Sequence, residues 1–162
     1  MKKALLVLGL VGVCAGALVR WLGGGGDGGA SDGDTRLVFN RLWVDRLPQG
    51  PKDTANIFAA VTGRERMGIF QSTSTWKGSY ELFQHTASGD KLRVVYPHTD
   101  DKENVKVRAW TCGEDDMDYC LELSGASRGV KRYHSQDGWE IGAVRSPQEL
   151  LDRVASRLPH AK

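Results

Sequence analysis

The chain has 162 residues, with 22 basic and 20 acidic side chains and a formal net charge of +2. That length fits one folded domain, and the near-neutral balance excludes a strongly basic nucleic-acid binder and an acidic disordered tail. Apolar residues make up 40%, enough for a core and too few for a multi-span membrane protein.

Residues 1–22 begin with Lys2 and Lys3, continue through 16 uncharged residues from Ala4 to Val19, and end on Arg20, Trp21 and Leu22. A basic start, an apolar stretch and small residues behind it form an export-signal pattern. Three fates fit. Ala15-Gly16-Ala17 offers a cleavage site after Ala17. Retention gives a signal anchor that holds the inner membrane through residues 4–22, with Arg20 snorkelling and Trp21 at the interface. Lipidation at Cys14 is the third, although Val13 is a poor residue before a lipobox cysteine. Cleavage after Ala17 leaves Leu18, Val19, Trp21 and Leu22 as an exposed apolar stub, which favours retention. Each fate places the rest of the chain in the cell envelope or beyond, translocated across the cytoplasmic membrane.

Residues 23–35 read GGGGDGGASDGDT and hold seven of the 20 glycines. Nothing here is large enough to bury, so the segment predicts a flexible linker. It lacks the GK[ST] ending of a phosphate-binding loop. Beyond the first 22 residues the charges nearly cancel, nineteen basic against twenty acidic. The basicity belongs to the targeting segment.

Residues 36–162 form the folded domain. Short apolar runs with a period of two predict strands over 37–47, 54–61, 66–73, 79–86, 91–96, 104–112, 119–124, 129–135 and 139–143. Residues 54–61 also fit a short helix. The intervening segments carry the Gly, Pro and Asp that turns need. Alternation points Leu92, Val94 and Tyr96 inward, with Val105, Val107 and Ala109, and with Tyr119, Leu121 and Leu123. Lys106, Arg108, Trp110, Cys120 and Glu122 face outward. One dry and one wet face indicate an antiparallel sheet. In the first run, Phe39, Arg41, Trp43 and Asp45 share one face. The simpler reading turns that face outward and points Val38, Leu42 and Val44 inward.

Ser146-Pro147-Gln148-Glu149 is a capping box with proline at the first helical position. Leu150, Leu151, Val154 and Leu158 then make one apolar stripe, which predicts a helix over 147–158 stopped by Pro159.

Eight or nine sequential antiparallel strands followed by a C-terminal amphipathic helix resemble the lipocalin-like (calycin) barrels. Trp43 in the first strand echoes the tryptophan of their Gly-x-Trp motif, although Arg41-Leu42 precede it here and the glycine is missing. The resemblance implies an eight- or nine-stranded barrel that encloses an apolar ligand. A two-sheet sandwich is the alternative architecture.

Cys112 and Cys120 end one run and begin the next. Two cysteines in an exported domain pair, and direct opposition across a hairpin sets Trp110 against Glu122 and Arg108 against Ser124. Their spacing does not fit a C-x-x-C redox pair, and no second Cys or His pair stands at zinc-ligand spacing.

Gly125-Ala126-Ser127-Arg128-Gly129 matches the G-x-S-x-G nucleophile elbow, which needs a helix after it. A strand follows instead, so a hairpin turn is the plainer reading and a Ser127-dependent hydrolase the remote one. Glu114, Asp115, Asp116 and Asp118 crowd one turn without the spacing of a calcium loop. His85, His98, His134 and His160 form no metal pattern. No catalytic set, metal or cofactor is therefore expected. In a barrel, Trp43, Phe58, Phe70, Tyr80 and Tyr96 are the candidates to line a ligand cavity. The expected function is non-enzymatic binding of a hydrophobic small molecule or lipid in the envelope, with an envelope protein–protein adaptor as the alternative.

Overall fold

The computed structural model describes residues 35–157 apart from 75 and 76. The readings of residues 1–22, Cys14 and nearly all of the linker lie outside these residues, as do those of Trp76, Leu158, Pro159 and His160. Eight strands run in chain order around a closed antiparallel barrel. They are β1 (Leu42–Val44), β2 (Ala55–Ala60), β3 (Met67–Thr73), β4 (Gly78–Ser88), β5 (Lys91–Val95), β6 (Lys102–Glu114), β7 (Met117–Ser124) and β8 (Arg132–Ser135). A one-turn helix α1 (Thr35–Val38) precedes them and α2 (Pro147–Arg157) follows. The barrel, not the sandwich, is the architecture, and residues 54–61 hold a strand.

Up-and-down topology puts alternate connections at opposite ends. The β1–β2, β3–β4, β5–β6 and β7–β8 loops surround the end called here the mouth. The β2–β3, β4–β5 and β6–β7 connections lie at the far end, where α1 enters. Inside, Trp43, Phe58, Phe70, Phe83, Tyr96 and Tyr133 pack with Leu92, Val94, Val107 and Leu121 into one cluster. Ring centroids stand 5.1 Å apart for Phe70 and Phe83, and 5.2 Å for Phe58 and Phe70. Each such ring contributes about 1.5–3 kcal/mol by leaving water. Gly68 passes so close to Phe83 that a β-carbon there would lie 2.2 Å from its ring. The rings of the barrel fill its axis.

A second apolar cluster lies outside the barrel wall. Leu42, Val44, Ile57, Ala59 and Ile69 meet Ile141, Val144, Leu150 and Val154, so α2 and the segment before it cover the outer face of β1–β3. This corrects the first-strand reading in three ways. Residues 37–47 do not form one strand, because the chain turns at Asn40 with φ 57 between α1 and β1. Trp43 points into the barrel, its indole N–H donating to the Val38 carbonyl at 3.0 Å. Leu42 and Val44 point outward, under α2. With one face of β1 on the barrel core and the other on the helix, every residue of the strand is buried and alternation carries no signal.

Residues 139–143 form no strand. They run beside the start of β1 through one isolated bridge, Arg41 with Glu140, flanked by the Leu42 amide donating to the Trp139 carbonyl at 2.9 Å, so the strands among the described residues number eight, not nine. Residues 129–131 belong to a loop rather than to the last strand. The α2 cap is a variant of the expected box: Ser146 Oγ accepts from the Glu149 amide at 3.2 Å, while Glu149 reaches back to the Arg145 amide at 2.7 Å.

Cys112 and Cys120 are joined, with Cα atoms 5.7 Å apart, but they are not directly opposed. Cys120 faces Trp110, Glu122 faces Arg108 and Ser124 faces Lys106. The register slips between Thr111 and Glu114, where Gly113 takes φ 63 in a bulge. Asp115 and Asp116, at φ 52 and 60, then make a two-residue turn. A slip of two residues preserves the face, so the bond forms on the outer wall as expected. Cys120 lies outward but is fully buried.

Candidate binding site at the barrel mouth

The β4 residues Glu81, Phe83 and His85 alternate into the barrel. Glu103 of β6 shares the inward parity of Val105 and Val107, so two carboxylates stand inside the wall at the mouth. A carboxylate there needs a cation or hydrogen-bond donors. The β7–β8 loop, residues 125–131, supplies them by folding across the opening as a strap.

Arg128 is the centre of the strap. Its Nε donates to Glu81 Oε2 at 3.1 Å, Nη2 to Asp101 Oδ2 at 3.0 Å and Nη1 to Ser127 Oγ at 2.5 Å. The guanidinium also lies 4.5 Å over the Tyr96 ring. The Ser127 amide donates to Glu103 Oε2 at 2.9 Å, and the Tyr96 hydroxyl donates to Glu103 Oε1. Beneath the polar layer, Ala126 and Val130 pack onto the interior cluster. The Val130 amide donates to the Tyr133 hydroxyl at 2.9 Å. Gly129 takes φ 71, and a β-carbon there would lie 2.2 Å from the Tyr133 hydroxyl and 2.6 Å from Phe70. Only glycine fits this point of the strap.

Ionisation follows the contacts. Hydrogen bonds to Glu81 and then Asp101 hold Arg128 above its ordinary value. Hydrogen bonds from Thr99 and Arg128 hold the Asp101 carboxyl below its ordinary value. Burial, reinforced by Glu103, pushes the Tyr96 hydroxyl far up. Burial pushes Tyr133 up to about 12. Both tyrosines are neutral donors or acceptors at physiological pH.

Beside the strap a cleft of about 290 Å³ runs along the β3–β4 edge, lined in part by Phe70, Gln71, Tyr80, Glu81, Arg128 and Gly129. Of the five residues read as cavity lining, Trp43, Phe58, Phe70 and Tyr96 lie together inside the barrel. Tyr80 does not. Alternation along β4 puts it on the outer surface, 56% exposed, where it borders this cleft instead. Sequence reasoning missed Glu81, Asp101 and Glu103. For Glu81 and Glu103 the signal was present, as charges at inward positions of otherwise regular strands, whereas Asp101 lies in the β5–β6 connection and has no period to mark it.

The G-x-S-x-G segment lies in the strap and leads into β8, not into a helix. The Ser127 hydroxyl accepts from an arginine, the opposite of activation by a base. The acidic turn also resolves into local roles: Asp118 Oδ2 accepts from the Asp137 amide at 2.8 Å, and the Asp116 carbonyl accepts from Gln136 at 3.0 Å. Comparison of the chain with protein families, with curated proteins and with solved structures returns no match.

Proposed function

We propose that this chain is a non-enzymatic, exported binding protein of lipocalin-like type, taking a small hydrophobic or lipid-like molecule at the barrel mouth. The observation that carries this reading is the strap. One guanidinium gathers two carboxylates and an aromatic face over an interior made of rings, with an open cleft alongside. A ligand of amphiphilic character matches that combination, its apolar part on Phe70 and Tyr80 and its polar part toward Arg128. Because the rings fill the axis, a long chain enters only when the strap lifts and Val130 withdraws.

Native mass spectrometry of the full chain purified from its own membrane tests the reading. A retained lipid-sized mass, reduced by Arg128→Ala, is the expected result. A protein that neither retains nor takes up an apolar probe in either form rules the carrier out.

The filled interior favours a second reading, an envelope adaptor that binds another protein through its outer wall. Trp110 lies on that wall, half-buried, with Arg108 4.9 Å and Arg132 5.6 Å from its ring. Loss of a co-purifying protein on Trp110→Ala, with no ligand at the mouth, selects this reading. Export has its own check. A phosphatase reporter active only outside the cytoplasm, fused after Lys162, is expected to be active; a stable but inactive fusion contradicts it.

A further inference from the structure

On the outer wall near the far end, three adjacent strands bring four metal-binding side chains to one corner. β6 supplies Cys112 and Glu114, β7 supplies Cys120, and β8 supplies His134, which pairs with Cys120 across the ladder. The ligand atoms of Cys112, Glu114 and Cys120 all lie within 4.8 Å of one another. His134 is a separate observation that points the same way. Its residue is 8% exposed, and its Nε2 is buried with no hydrogen-bond partner. That nitrogen stands 4.0 Å from Glu114 Oε2. A buried, unpaired imidazole nitrogen is unfavourable unless something arrives to use it.

We infer that the disulfide corner is a redox-gated zinc site, closed while the disulfide is intact and opened by its reduction. Two thiols of a reductant become their own disulfide, and the Cys112–Cys120 bond takes up two electrons and two protons. Zinc(II) then displaces both protons and binds two thiolates, the Glu114 carboxylate and the neutral His134 imidazole. Tetrahedral zinc with sulfur arms of ~2.3 Å and nitrogen or oxygen arms of ~2.0–2.1 Å sets ligand atoms about 3.3–3.8 Å apart. The 4.0 Å between His134 Nε2 and Glu114 Oε2 is already close to that, and the two sulfurs move apart to such a spacing once their bond is broken. The bulge at Gly113 matters here, since it brings Glu114 to the same corner as Cys112.

Arg132 completes the charge balance. Zinc with two thiolates and one carboxylate carries one net negative charge. The Arg132 guanidinium already donates to Glu114 Oε2 and lies 3.8 Å from Cys120 Sγ, with Glu114 Oε1 left for the metal. The hairpin thus has two alternative cross-links, a disulfide in an oxidising space and a metal in a reducing one.

The test uses the full chain reduced with a phosphine under argon, one sample loaded with zinc and a parallel zinc-free sample loaded with cobalt(II) as a spectroscopic probe. Expected are one equivalent bound to the reduced chain, thiolate-to-cobalt charge-transfer absorption, and no binding to the oxidised chain. Glu114→Gln and His134→Ala are expected to weaken zinc at least about tenfold in competition with a chelator. Equal binding to the oxidised chain, absence of the charge-transfer band, or unchanged affinity in both variants overturns the proposal. So does loss of the sheet signal in circular dichroism on reduction with zinc present.

Discussion

The two ends of the barrel handle their buried polar groups differently. At the mouth, Arg128, Glu81, Glu103, Tyr96 and Tyr133 are joined to one another or to the strap backbone. Toward the far end lie His85 Nδ1, His134 Nε2 and Ser135 Oγ, the buried side-chain polar atoms without a partner among the described residues. A complete network stabilises one conformation and resists change. An incomplete one holds unsatisfied bonding capacity that a proton or an ion can use. The mouth is therefore a latched closure, and the far end is the chemically open part of the fold.

Four variants test that contrast, from the largest effect to the smallest. Gly129→Ala forces a β-carbon into Tyr133 and Phe70 at a left-handed backbone position. It is expected to destabilise the protein by about 2–4 kcal/mol, read as a lower urea midpoint. A midpoint equal to the parent's means the strap is not seated as described. Replacing Cys112 and Cys120 together by Ser removes a short covalent loop, with an expected loss of about 2–3 kcal/mol in thermal unfolding without zinc. No loss means the far-end hairpin is held by its ladder alone.

Tyr133→Phe removes the acceptor of the Val130 amide and is expected to lower stability by about 1 kcal/mol. Hydrogen exchange at that amide should accelerate while β3 amides stay protected; uniform acceleration sinks the idea of a separately held strap. The last effect is a slope. Burial lowers the His85 pKa from 6.5, a shift opposed by its bond to the Val61 carbonyl. The unfolded chain then binds the proton more readily than the folded one. The stability due to neutral His85 is present above about pH 6.5 and is lost as pH falls through the folded value. Urea midpoints at pH 5 and 7.5 should differ more for the parent than for His85→Gln, and equal differences contradict this.

These elements also show what a sequence can reveal. β5, β6 and β7 were readable because one face meets water, so Leu92, Val94, Val105 and Val107 alternate with charges. β1 was not, because Leu42 and Val44 are as buried under α2 as Trp43 is inside the barrel. Short, doubly covered strands have no wet face to mark them. The pairing of Cys112 with Cys120 was readable from their spacing and the compartment expected for the chain, but the register was not. It depends on the left-handed conformation of Gly113, a property of one residue that no periodicity carries. The mouth charges were visible as exceptions to alternation. Arg128, on a loop without period, acquires its role only from where β7 and β8 place it.

The barrel closes through very little. β1 and β8 share a single register pair, Val44 with His134, against seven for β3 and β4. Arg41 reinforces this seam, donating to the Gln136 carbonyl at 2.7 Å and to Glu140 at 2.5 Å while covering Tyr119 at 4.1 Å. The molecule is thus a ring fastened by a clasp, and the two flanks of the domain leave from beside it. A seam held by one register pair and one arginine is where the ring has the least to lose on opening, so local opening of the barrel is expected to begin between β1 and β8 rather than within β3–β7.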